Sequence, residues 1–531
     1  MNALFATLFL ASALNSATWL QNVRTDSFTV MCETKSCLDG LRLEYWPEGG
    51  SPKSVHFTYF PTVGGTFVAR AKVDIAGHAG ETVRYQVSER GRVLQDAGSY
   101  GSVKLWGAAD DGDFTAVVWG DNQSGMTAED WSADPYAAAR GAFTHMMTLR
   151  PDFGLSTGDM SGSAKYREQI RPLLLEITNP ILGHYIPYYV AWGNHDSKFV
   201  SGWATVRPFF STGYDGSRGD WAVADNYTLV RGDVFFVLID DYGCEANVDV
   251  LEDDACVARY ERKRTREWLG KVLSSEEARN AKFRIVLQHA PVYLETWGSY
   301  AVPAFRDVFN EHRVDLVLSG HMHGCERIAI PGDTFIQLTN GGLGYLDNDE
   351  EVEANYGDAT FIGGHKDIPY LWARESAPGV LGPSEPVFMG CLPSYTELNA
   401  KGDELTVSYH GFNADGSYIG VFDKFTLTAR RPCETGLPRV SYPEVAYDAA
   451  AVPSFAVAPG APVTKAAWHD FELNALHRDV AAPSAAERDR PATGMSRREA
   501  EAFAAWAGGG TDRYRLPTVA ELEGADASVV A

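Results

Sequence analysis

The sequence predicts an α/β fold with a largely parallel, layered sheet, preceded by a small all-β sandwich and followed by a small irregular α+β unit. Two patterns indicate this arrangement: short strands separated by turn residues up to about residue 105, and strands alternating with helices from about 112 to 345. Short polar motifs follow several strands of the second region. Since 531 residues exceed what one hydrophobic core usually supports, we expect two or three domains.

The first domain, residues 17–108, is predicted to contain only β-strands. Its runs of β-forming residues are separated by Gly, Pro, Asp and Ser, which favour turns. The predicted strands span 28–31, 41–45, 66–69 and 83–87. Short strands at this spacing are typical of a β-sandwich.

The second domain, residues 112–430, is predicted to consist mainly of β-α-β units. Its strands span 115–119, 153–156, 186–191, 235–239, 283–287 and 314–318, with helices near 134–148, 164–177, 258–274 and 302–312. Runs at 405–410 and 424–427 predict closing antiparallel strands. In parallel sheets of this kind, ligands bind at the carboxyl ends of the strands.

Four motifs and one histidine lie at such strand ends. They are Gly120-Asp121-Asn122-Gln123, Gly158-Asp159, Gly193-Asn194-His195-Asp196, Gly320-His321-Met322-His323 and His289. Each alone usually marks a turn or a core residue. Their ordered recurrence supplies carboxylates, an amide and imidazoles, which are the ligands needed to hold two metal ions about 3.5–4 Å apart for phosphate-ester hydrolysis.

The bridging carboxylate is assigned to Asp159, because its two oxygens can span both ions. Asp121 and His323 complete the first metal site. Three further ligands complete the second site: Asn194, His289 and His321. Mixed nitrogen and oxygen ligands suit Fe, Zn or Mn better than Mg or Ca, so we expect two divalent or trivalent ions of these metals.

His195 follows a ligand directly but is assigned a catalytic role instead. It can approach the phosphate, donate a hydrogen bond to it, or protonate the leaving group. Asp196 either orients that imidazole as a second catalytic residue or caps the local turn, and the sequence leaves both roles open.

The motif series resembles the calcineurin-like metallophosphoesterase superfamily, and within it the purple-acid-phosphatase branch. The similarity covers about 19–430 and includes Ser319-Gly320-His321-Met322-His323, Glu326-Arg327 and the Gly341-Gly342 turn. The segments Trp19–Val23 and Asp26–Val30 resemble the fibronectin-type-III-like domain that precedes many of these enzymes. The resemblance implies a layered α-β-β-α sandwich, the ligand roles assigned above, and acid-phosphatase-like hydrolysis of phosphoric esters.

Two residues depart from the family's pattern. Gly162 stands where the purple branch has a metal-binding tyrosine, which argues against a charge-transfer colour and a stabilised ferric ion. Gln123 stands where the wider superfamily often has a histidine. It either binds the first metal through its amide oxygen or contacts the substrate. Because its amide is neutral, we expect weaker metal binding at the first site.

The last part of the chain, residues 461–531, follows a predicted linker at 431–460. Three runs resemble the formylglycine-generating-enzyme (sulfatase-modifying-factor) domain: Arg490–Ser496, Ala500–Trp506 and Tyr514–Glu523. Oxidase activity is not expected, because the chemistry of that family needs late cysteines and none follows Cys433. We interpret the segment as a partial domain, a remnant rather than a binding module, in which 500–506 forms a helix packing face.

The uncharged residues 3–14 suit the core of a signal peptide spanning 1–16, so we expect a secreted or periplasmic protein. Export permits disulfide bonds. The candidate pairs are Cys32 with Cys37, Cys244 with Cys256, and Cys391 with Cys433, which leaves Cys325 as a buried thiol.

The formal net charge of −24 predicts a surface that repels polyanions, so binding to nucleic acid or an anionic membrane is not expected. No segment after 3–14 approaches the ~20 apolar residues that a membrane span requires. The partner we expect is a small phosphate ester.

Our hypothesis from the sequence is an exported binuclear phosphomonoesterase that uses metal-bound hydroxide as its nucleophile. One alternative is a phosphodiesterase with the same metal core. An alternative of another class is a non-catalytic surface or adhesion protein with a degenerate metal site.

Overall fold

The structure is a computed structural model of the chain, and it divides into two units. The first contains residues 1–357 and 375–441, and the second contains 358–374 and 442–531. The structure describes residues 14–94, 98–107, 112–122, 136–160, 170–197, 206–211, 226–241, 254–292, 305–321, 323–330, 332–343, 371–374, 387–390, 393–441, 443, 445–451, 461–478, 480–492, 495, 497–509 and 514–516. The finer domain boundaries given above stay predictions.

The N-terminal region is a β-sandwich, as the strand spacing predicts. Its strands are β1 (Trp19–Gln21), β2 (Ser27–Thr34), β3 (Leu41–Pro47), β4 (Lys53–His56), β5 (Thr58–Pro61), β6 (Phe67–Asp74), β7 (Thr82–Glu89), β8 (Arg92–Val93) and β9 (Tyr100–Lys104). One sheet has the order β1-β2-β6-β5, and the other has the order β4-β3-β7-β8 with β9 also on β7. Leu41, Leu43 and Tyr45 are buried along β3, with less buried residues between them, so one face of this sheet packs on the core.

The α/β region follows in the predicted order. Its first half contains β10 (Phe114–Trp119), helix α1 (Ala137–Thr148), β11 (Phe153–Ser156), a π-helix (Arg171–Gly183), β12 (Tyr188–Val190), α2 (Asn194–Ser197), a 3₁₀ turn (Arg207–Phe209), β13 (Tyr227–Arg231) and β14 (Val234–Leu238). The helix predicted near 164–177 corresponds to the π-helix Arg171–Gly183, which extends further toward the C-terminus than predicted. Its hydrogen bonds span five residues, a wider turn that accommodates Pro180 inside it.

The second half of the region contains more helices and the closing strands. They are α3 (Asp254–Leu273), α4 (Glu276–Asn280), β15 (Phe283–Leu287), α5 (Arg306–Glu311), β16 (Leu316–Ser319), β17 (Cys325–Ala329), β18 (Ile336–Asn340), β19 (Leu371–Arg374, in the second unit), β20 (Val387–Gly390), β21 (Ser394–Lys401), β22 (Glu404–Phe412), β23 (Tyr418–Thr428) and β24 (Arg439–Ser441). The predicted closing strands at 405–410 and 424–427 thus correspond to β22 and β23.

Two mixed sheets carry the motifs. In the first, β10, β11 and β12 are parallel, and β21 to β24 extend the β10 edge in antiparallel fashion. In the second, β14, β15, β16 and β18 are parallel, while β13, β17 and β20 pair antiparallel. The motif-bearing strands are therefore parallel, as predicted, whereas the added outer strands make each sheet mixed.

The core of the first sheet explains why its parallel strands are almost continuously apolar. Trp119, Phe143 and Tyr188 are fully buried, and the Phe143 ring meets Trp119 edge-on at 5.3 Å between centroids. The backbone of Gly154 lies against the Trp119 ring, where a β-carbon would overlap it. Helices on one face and a second sheet on the other leave little room for alternating polar residues.

The second unit contains a helix pair, α6 (Lys465–Asn474) and α7 (Arg497–Ala507). Phe471 of α6 packs against Phe503 and Trp506 of α7, and all three side chains are buried. This confirms the interpretation of 500–506 as a helix packing face.

The cysteines correct two of the predicted disulfide bonds. Cys32 and Cys37 are free thiols, because Cys32 lies buried in β2 while Cys37 is exposed beyond the strand end. Burial raises the pKa of the Cys32 thiol far above its usual value. Cys433 is free and exposed, so it does not form the predicted bond with Cys391. Cys244, Cys391 and the side chain of Cys256 lie outside the described part of the structure, and Cys325 is buried as expected.

Among the residues that the structure describes, no helix is both long and apolar enough to traverse a lipid bilayer. The predicted signal-peptide core at 3–14 lies outside these residues except for Leu14, which is buried.

Candidate metal centre

All five motif positions lie at carboxyl ends of parallel strands. In the first sheet, Ser156 is opposite both Trp119 and Val190, so Asp121, Asp159 and Asn194 emerge from the same edge. In the second sheet, β15 and β16 end in register, and His289 and His321 follow them. Because neighbouring strands end at the same level, residues up to 200 positions apart in the sequence come together.

Three predicted ligands have left-handed backbone conformations, with φ of 51° at Asp121, 52° at Asp159 and 70° at His321. Such conformations cost an L-residue roughly 1–2 kcal/mol each and persist only when surrounding contacts hold them. The Asp121 N–H donates to the Gly158 carbonyl at 3.0 Å, and the His321 N–H donates to the Asp121 carboxylate at 2.9 Å. The ligand loops are thus held by each other.

Ligand atoms of the predicted second site converge on His289. Its Nε2 lies 3.2 Å from Asp159 Oδ2 and 3.0 Å from Asn194 Oδ1, while its Nδ1 lies 2.8 Å from the Thr157 carbonyl oxygen. A carbonyl only accepts, so Nδ1 carries a hydrogen, and Nε2 faces the oxygens of two other acceptors. Three acceptor atoms placed in this way favour a shared cation, either a proton or a metal ion.

The ligand atoms of Asp159, His289 and His321 all lie within 4.8 Å of one another. Imidazole and carboxylate donors at this spacing fit a transition metal or zinc ion, since they match the mixed nitrogen and oxygen sets that these ions prefer. The residues present therefore fit the metal that the second site was predicted to hold.

The predicted first site is assembled in part. His323 Nε2 lies 3.8 Å from Asp121 Oδ1, and the Asp121 side chain is completely buried. Gln123, the residue with two open roles, lies outside the described residues, as does Gly162. The position of Gln123 relative to this pair stays a prediction.

Burial and charge shift the pKa values of the site in a consistent pattern. Burial raises the pKa of Asp121 well above its usual range, although His289 opposes the rise. Burial also acts to raise the pKa of Asp159, but the neighbouring His289 and His195 outweigh it and hold the value well below normal. Burial acts to lower the pKa of His289, but Asp159 and Asp121 raise it to about 10. The carboxylates therefore favour a positive charge at His289.

His321 shows the opposite shift, because burial and the nearby His289 lower its pKa to about 3. A neutral imidazole is the form that binds metals. Metal binding must displace the proton of His289 and compete with protonation of Asp121, so metal affinity is expected to fall as the pH decreases.

Asp196 joins the ligand loops. Its carboxylate accepts hydrogen bonds from the backbone N–H groups of Asp159 at 2.8 Å, Met160 at 3.0 Å and Gly193 at 3.1 Å. Burial, followed by the charge of Asp159, raises its pKa to about 7. These contacts match the turn-capping role that the sequence left open, and a catalytic role for Asp196 stays a prediction.

Asp241 is a second positioning carboxylate, which the sequence analysis did not identify. It is buried and accepts from the backbone N–H groups of His289 at 3.1 Å and Ala290 at 2.7 Å. Burial raises its pKa to about 6. Its position just beyond β14, at the same sheet edge as the motifs, was the available signal.

His195 lies in the short helix α2, beside the second site. Its backbone N–H donates to Asp159 Oδ1 at 2.8 Å, which positions the residue next to the predicted bridging carboxylate. The role of its imidazole in proton transfer stays a prediction.

Two motif glycines are required by close packing. A β-carbon at Gly193 would overlap Asp159 Oδ1, and one at Gly320 would overlap Asp121 Oδ2. The loops approach so closely that only glycine leaves room for the carboxylates.

A family model described as calcineurin-like phosphoesterase matches residues 117–325, and one described as sulfatase-modifying factor enzyme 1-like domain matches residues 432–528. No curated protein gives a significant match.

Among solved structures, a purple acid phosphatase, PPD1 from yellow lupin (Lupinus luteus) seeds, is similar at 15% identity and a TM-score of 0.53, covering 78% of this chain and 75% of that one. GAP50, the anchor in the inner membrane complex of Plasmodium, matches at 13% identity and a TM-score of 0.38, covering 60% of this chain and 90% of its own. The likeness to the lupin enzyme concerns the fold.

Proposed function

We propose that this chain hydrolyses phosphate monoesters at a binuclear metal centre. The premise is that it is a metal-dependent phosphoric ester hydrolase with a calcineurin-like phosphoesterase domain at residues 117–325. The observation that carries the proposal is the convergence of Asp159 and Asn194 oxygens on Nε2 of His289. Asp121 and His323, 3.8 Å apart, are the residues that would hold the other ion.

The protein's own groups perform defined tasks in this proposal. When bound, the metals neutralise phosphate oxygens and provide a nucleophile by lowering the pKa of water. The Thr157 carbonyl fixes the tautomer of His289, and Asn194 also contacts a phosphate oxygen. His195, held at the site by its backbone bond to Asp159, protonates the leaving oxygen.

The preference for monoesters rests on the β-sandwich that precedes the catalytic region, since the purple-acid-phosphatase branch combines these parts. The alternative is a phosphodiesterase with the same ligands. Initial rates with p-nitrophenyl phosphate and bis-p-nitrophenyl phosphate separate the two. We expect the larger kcat/KM for the monoester, and a larger value for the diester would assign the alternative.

The binuclear centre is tested by replacing its bridging ligand. In Asp159→Asn we expect fewer than two metal ions per chain and a loss of activity of at least ~100-fold, because one anionic ligand is removed from both ions. The control is Asp333→Asn, a buried carboxylate that instead accepts from Arg306 and Asn310. Metal analysis and hydrolysis assays of both variants are compared with the parent protein. One metal per chain in fully active enzyme would contradict the proposal.

The metals we propose are Fe, Zn or Mn, because the ligands combine nitrogen and oxygen. Since glycine occupies position 162, we expect no visible charge-transfer band even when iron is bound. An absorption spectrum of the iron-loaded protein measures this. A strong visible band would show that another phenolate replaces the missing tyrosine.

Export is also proposed, with a cleavage site that lies before the boundary predicted from the sequence. Leu14 forms a β-bridge with Thr34, the Asn15 N–H donates to the Glu33 carbonyl, and the Ser16 hydroxyl accepts from the Glu33 N–H. Removal of residues 1–16 would break these contacts. The small residues Ala11-Ser12-Ala13 instead favour cleavage after position 13.

N-terminal sequencing of the protein from the extracellular or periplasmic fraction tests this proposal. We expect the sequence to begin at Leu14. A start at Ala17 would restore the boundary predicted from the sequence, and an intact N-terminus in the cytoplasm would contradict export.

A further inference from the structure

The candidate metal centre is assembled from two separate sheets. Asp121 and Asp159 follow strands of the first sheet, whereas His289 and His321 follow strands of the second. Their ligand atoms therefore meet only while the carboxyl edges of both sheets keep one separation and one register. Apolar packing between two sheets is not directional and does not by itself fix a register. A directional contact between the sheets near the ligands would do so.

Asn340, the last residue of β18, makes such a contact. β18 is parallel to β16, and Ser319 lies opposite Thr339, so Asn340 is level with the start of the Gly320-His321 turn. Its Nδ2 donates to the Val118 carbonyl of β10 at 2.7 Å in the buried interior. Asn340 therefore connects the second sheet to the first near the ends of β10 and β16.

Thr396 of β21 bonds the other end of the same amide. Its hydroxyl donates to Asn340 Oδ1 at 3.1 Å, and Thr396 lies directly opposite Val118 where β21 pairs with β10. The amide thus bonds two neighbouring strands of the first sheet, and both Asn340 and Thr396 are fully buried. A shift of one sheet along the other would leave buried polar groups unpaired, and the cost of their desolvation opposes such a shift.

Further contacts between the sheets lie beside this amide. Tyr409 of β22 donates its hydroxyl to the Thr339 carbonyl at 2.9 Å. The Leu343 N–H donates to the Gly120 carbonyl at 3.3 Å, and a β-carbon at Gly120 would lie only 2.9 Å from the Asn340 carbonyl oxygen. The two sheets are therefore in backbone contact at the edge that carries the ligands.

We propose that Asn340 is a positioning residue of the metal centre and that Thr396 orients its amide. Together they hold the carboxyl edges at the separation at which the histidines of the second sheet reach the aspartates of the first. This inference rests on the proposed metal centre and extends it to two residues that act through the strand ends.

Thr396→Val tests the proposal because it removes the hydroxyl with little change in volume, and Thr396→Ser, which retains the hydroxyl, is its rescue. We expect Thr396→Val to bind Zn²⁺ ~10-fold more weakly and to lose kcat by a similar factor, with little change in KM. Asn340→Leu, which removes both bonds, should have the larger effect, and Thr396→Ser should match the parent. Competition with a chromogenic chelator measures the zinc affinity of the full chain.

The matched control is Thr406→Val, which removes a 2.9 Å hydrogen bond to Thr426 within the first sheet. Both valine variants should have similarly lowered melting temperatures, because each loses one hydrogen bond. Weaker zinc binding in Thr396→Val than in Thr406→Val supports the proposal. Zinc affinity equal to that of the parent in Thr396→Val, or an equal loss in Thr406→Val, would overturn it whether or not Asn340→Leu folds.

Hydrogen exchange of the metal-free chain separates this result from the proposed function. The His321 N–H donates to the Asp121 carboxylate and the Leu343 N–H donates to the Gly120 carbonyl, so both amides report on the contact between the sheets. We expect several-fold faster exchange of both amides in Thr396→Val than in Thr406→Val. If the parent bound no zinc but showed this difference, the metal centre would fail while the role of Asn340 in holding the sheets would stand. Unchanged exchange would exclude that role.

Discussion

At the residue scale, the candidate site depends on side chains whose arrangement favours a shared positive charge. His289 directs its Nε2 at two acceptors, and its pKa is raised to about 10 when a proton has to fill that place. The left-handed backbone at Asp121 and Asp159 shows that the loops are built around this geometry. Small changes at single residues should therefore have large effects on metal binding.

The first prediction concerns Gly193→Ala. The added methyl group overlaps Asp159 Oδ1 and the adjacent backbone, so the bridging carboxylate must move. We expect a loss of metal and of activity of ~10–100-fold, the range typical when a ligand is displaced. Metal content per chain and p-nitrophenyl phosphate hydrolysis measure it.

The matched control is Gly270→Ala in α3, where the nearest atom to the new β-carbon is 3.9 Å away. It should keep full activity and raise the free energy of unfolding by up to about 1 kcal/mol, since alanine favours helices. Full metal occupancy in Gly193→Ala would show that the loop relaxes without affecting the site.

The second prediction concerns proton transfer by His195. In His195→Ala we expect kcat to fall by ~10²–10⁴ for an alkyl phosphate, whose leaving group needs a proton. The loss should be much smaller for p-nitrophenyl phosphate, and metal content should stay the same. His56→Ala, an exposed histidine of β4, is the control. Equal losses for both substrates would assign His195 to phosphate binding instead.

At the element scale, regular pairing of parallel strands brings the ligands together, and buried polar contacts hold the strand ends. Asp315 precedes β16, accepts from the Arg284 N–H at 2.9 Å, and pairs with Arg430 Nε at 3.0 Å. Burial raises its pKa to about 6, although Arg430 opposes the shift. This group lies away from the metal ligands and affects folding stability.

The third prediction follows from that shift. The folded-state pKa of Asp315 lies above the usual 3.8, which means that the folded protein holds this proton more strongly than the unfolded chain does. The stabilisation of the fold by the protonated group is therefore present at low pH and is lost as the pH rises from about 4 to about 6. Two pKa units correspond to about 3 kcal/mol. Asp315→Asn removes this loss. The free energy of unfolding of the variant should therefore rise by about 3 kcal/mol relative to that of the parent between pH 4 and pH 7.

Urea unfolding at four pH values measures this difference. Asp415→Asn is the contrasting variant, because hydrogen bonds from Ser417 lower the Asp415 pKa and any trend must have the opposite sign. A pH-independent difference between the parent and Asp315→Asn would show that Asp315 is ionised in both states.

At the scale of the whole first unit, the sandwich supports the catalytic loops. Arg70 of β6 donates to the carbonyls of Pro208 at 2.8 Å and Phe210 at 2.7 Å, and Asn22 donates to the Ser211 carbonyl at 2.9 Å. The Phe210 ring meets Trp192 edge-on at 5.2 Å. Trp192 immediately precedes the Gly193-Asn194 motif, so contacts run continuously from the sandwich to a predicted metal ligand.

The fourth prediction concerns this support. We expect Arg70→Met to lower metal affinity and kcat by ~5–10-fold with little change in KM, because the Asn194 loop loses its backing while the substrate contacts remain. Lys72→Met, an exposed lysine on the same strand, is the control. A lower melting temperature with unchanged kcat and metal affinity would limit Arg70 to a structural role.

The sequence by itself determined the elements and the chemistry of the site. The runs that end at Trp119, Ser156 and Leu287 are local patterns, and the Asp, Asn and His residues after them define a metal-binding donor set wherever parallel strands end together. Local spacing also predicted the sandwich strands and the packing face of α7. These features depend on residues that are near one another in the chain.

Only the tertiary structure decided which distant groups meet. It placed Asp241 beside the His289 backbone and Asp196 between two of the motif loops. It also left Cys32 buried apart from the exposed Cys37. Arg70 came to lie against the segment that supports Trp192. Each of these results depends on pairing between elements far apart in the sequence. Because burial and hydrogen bonding at such contacts arise only when the sheets assemble, no local pattern could specify them.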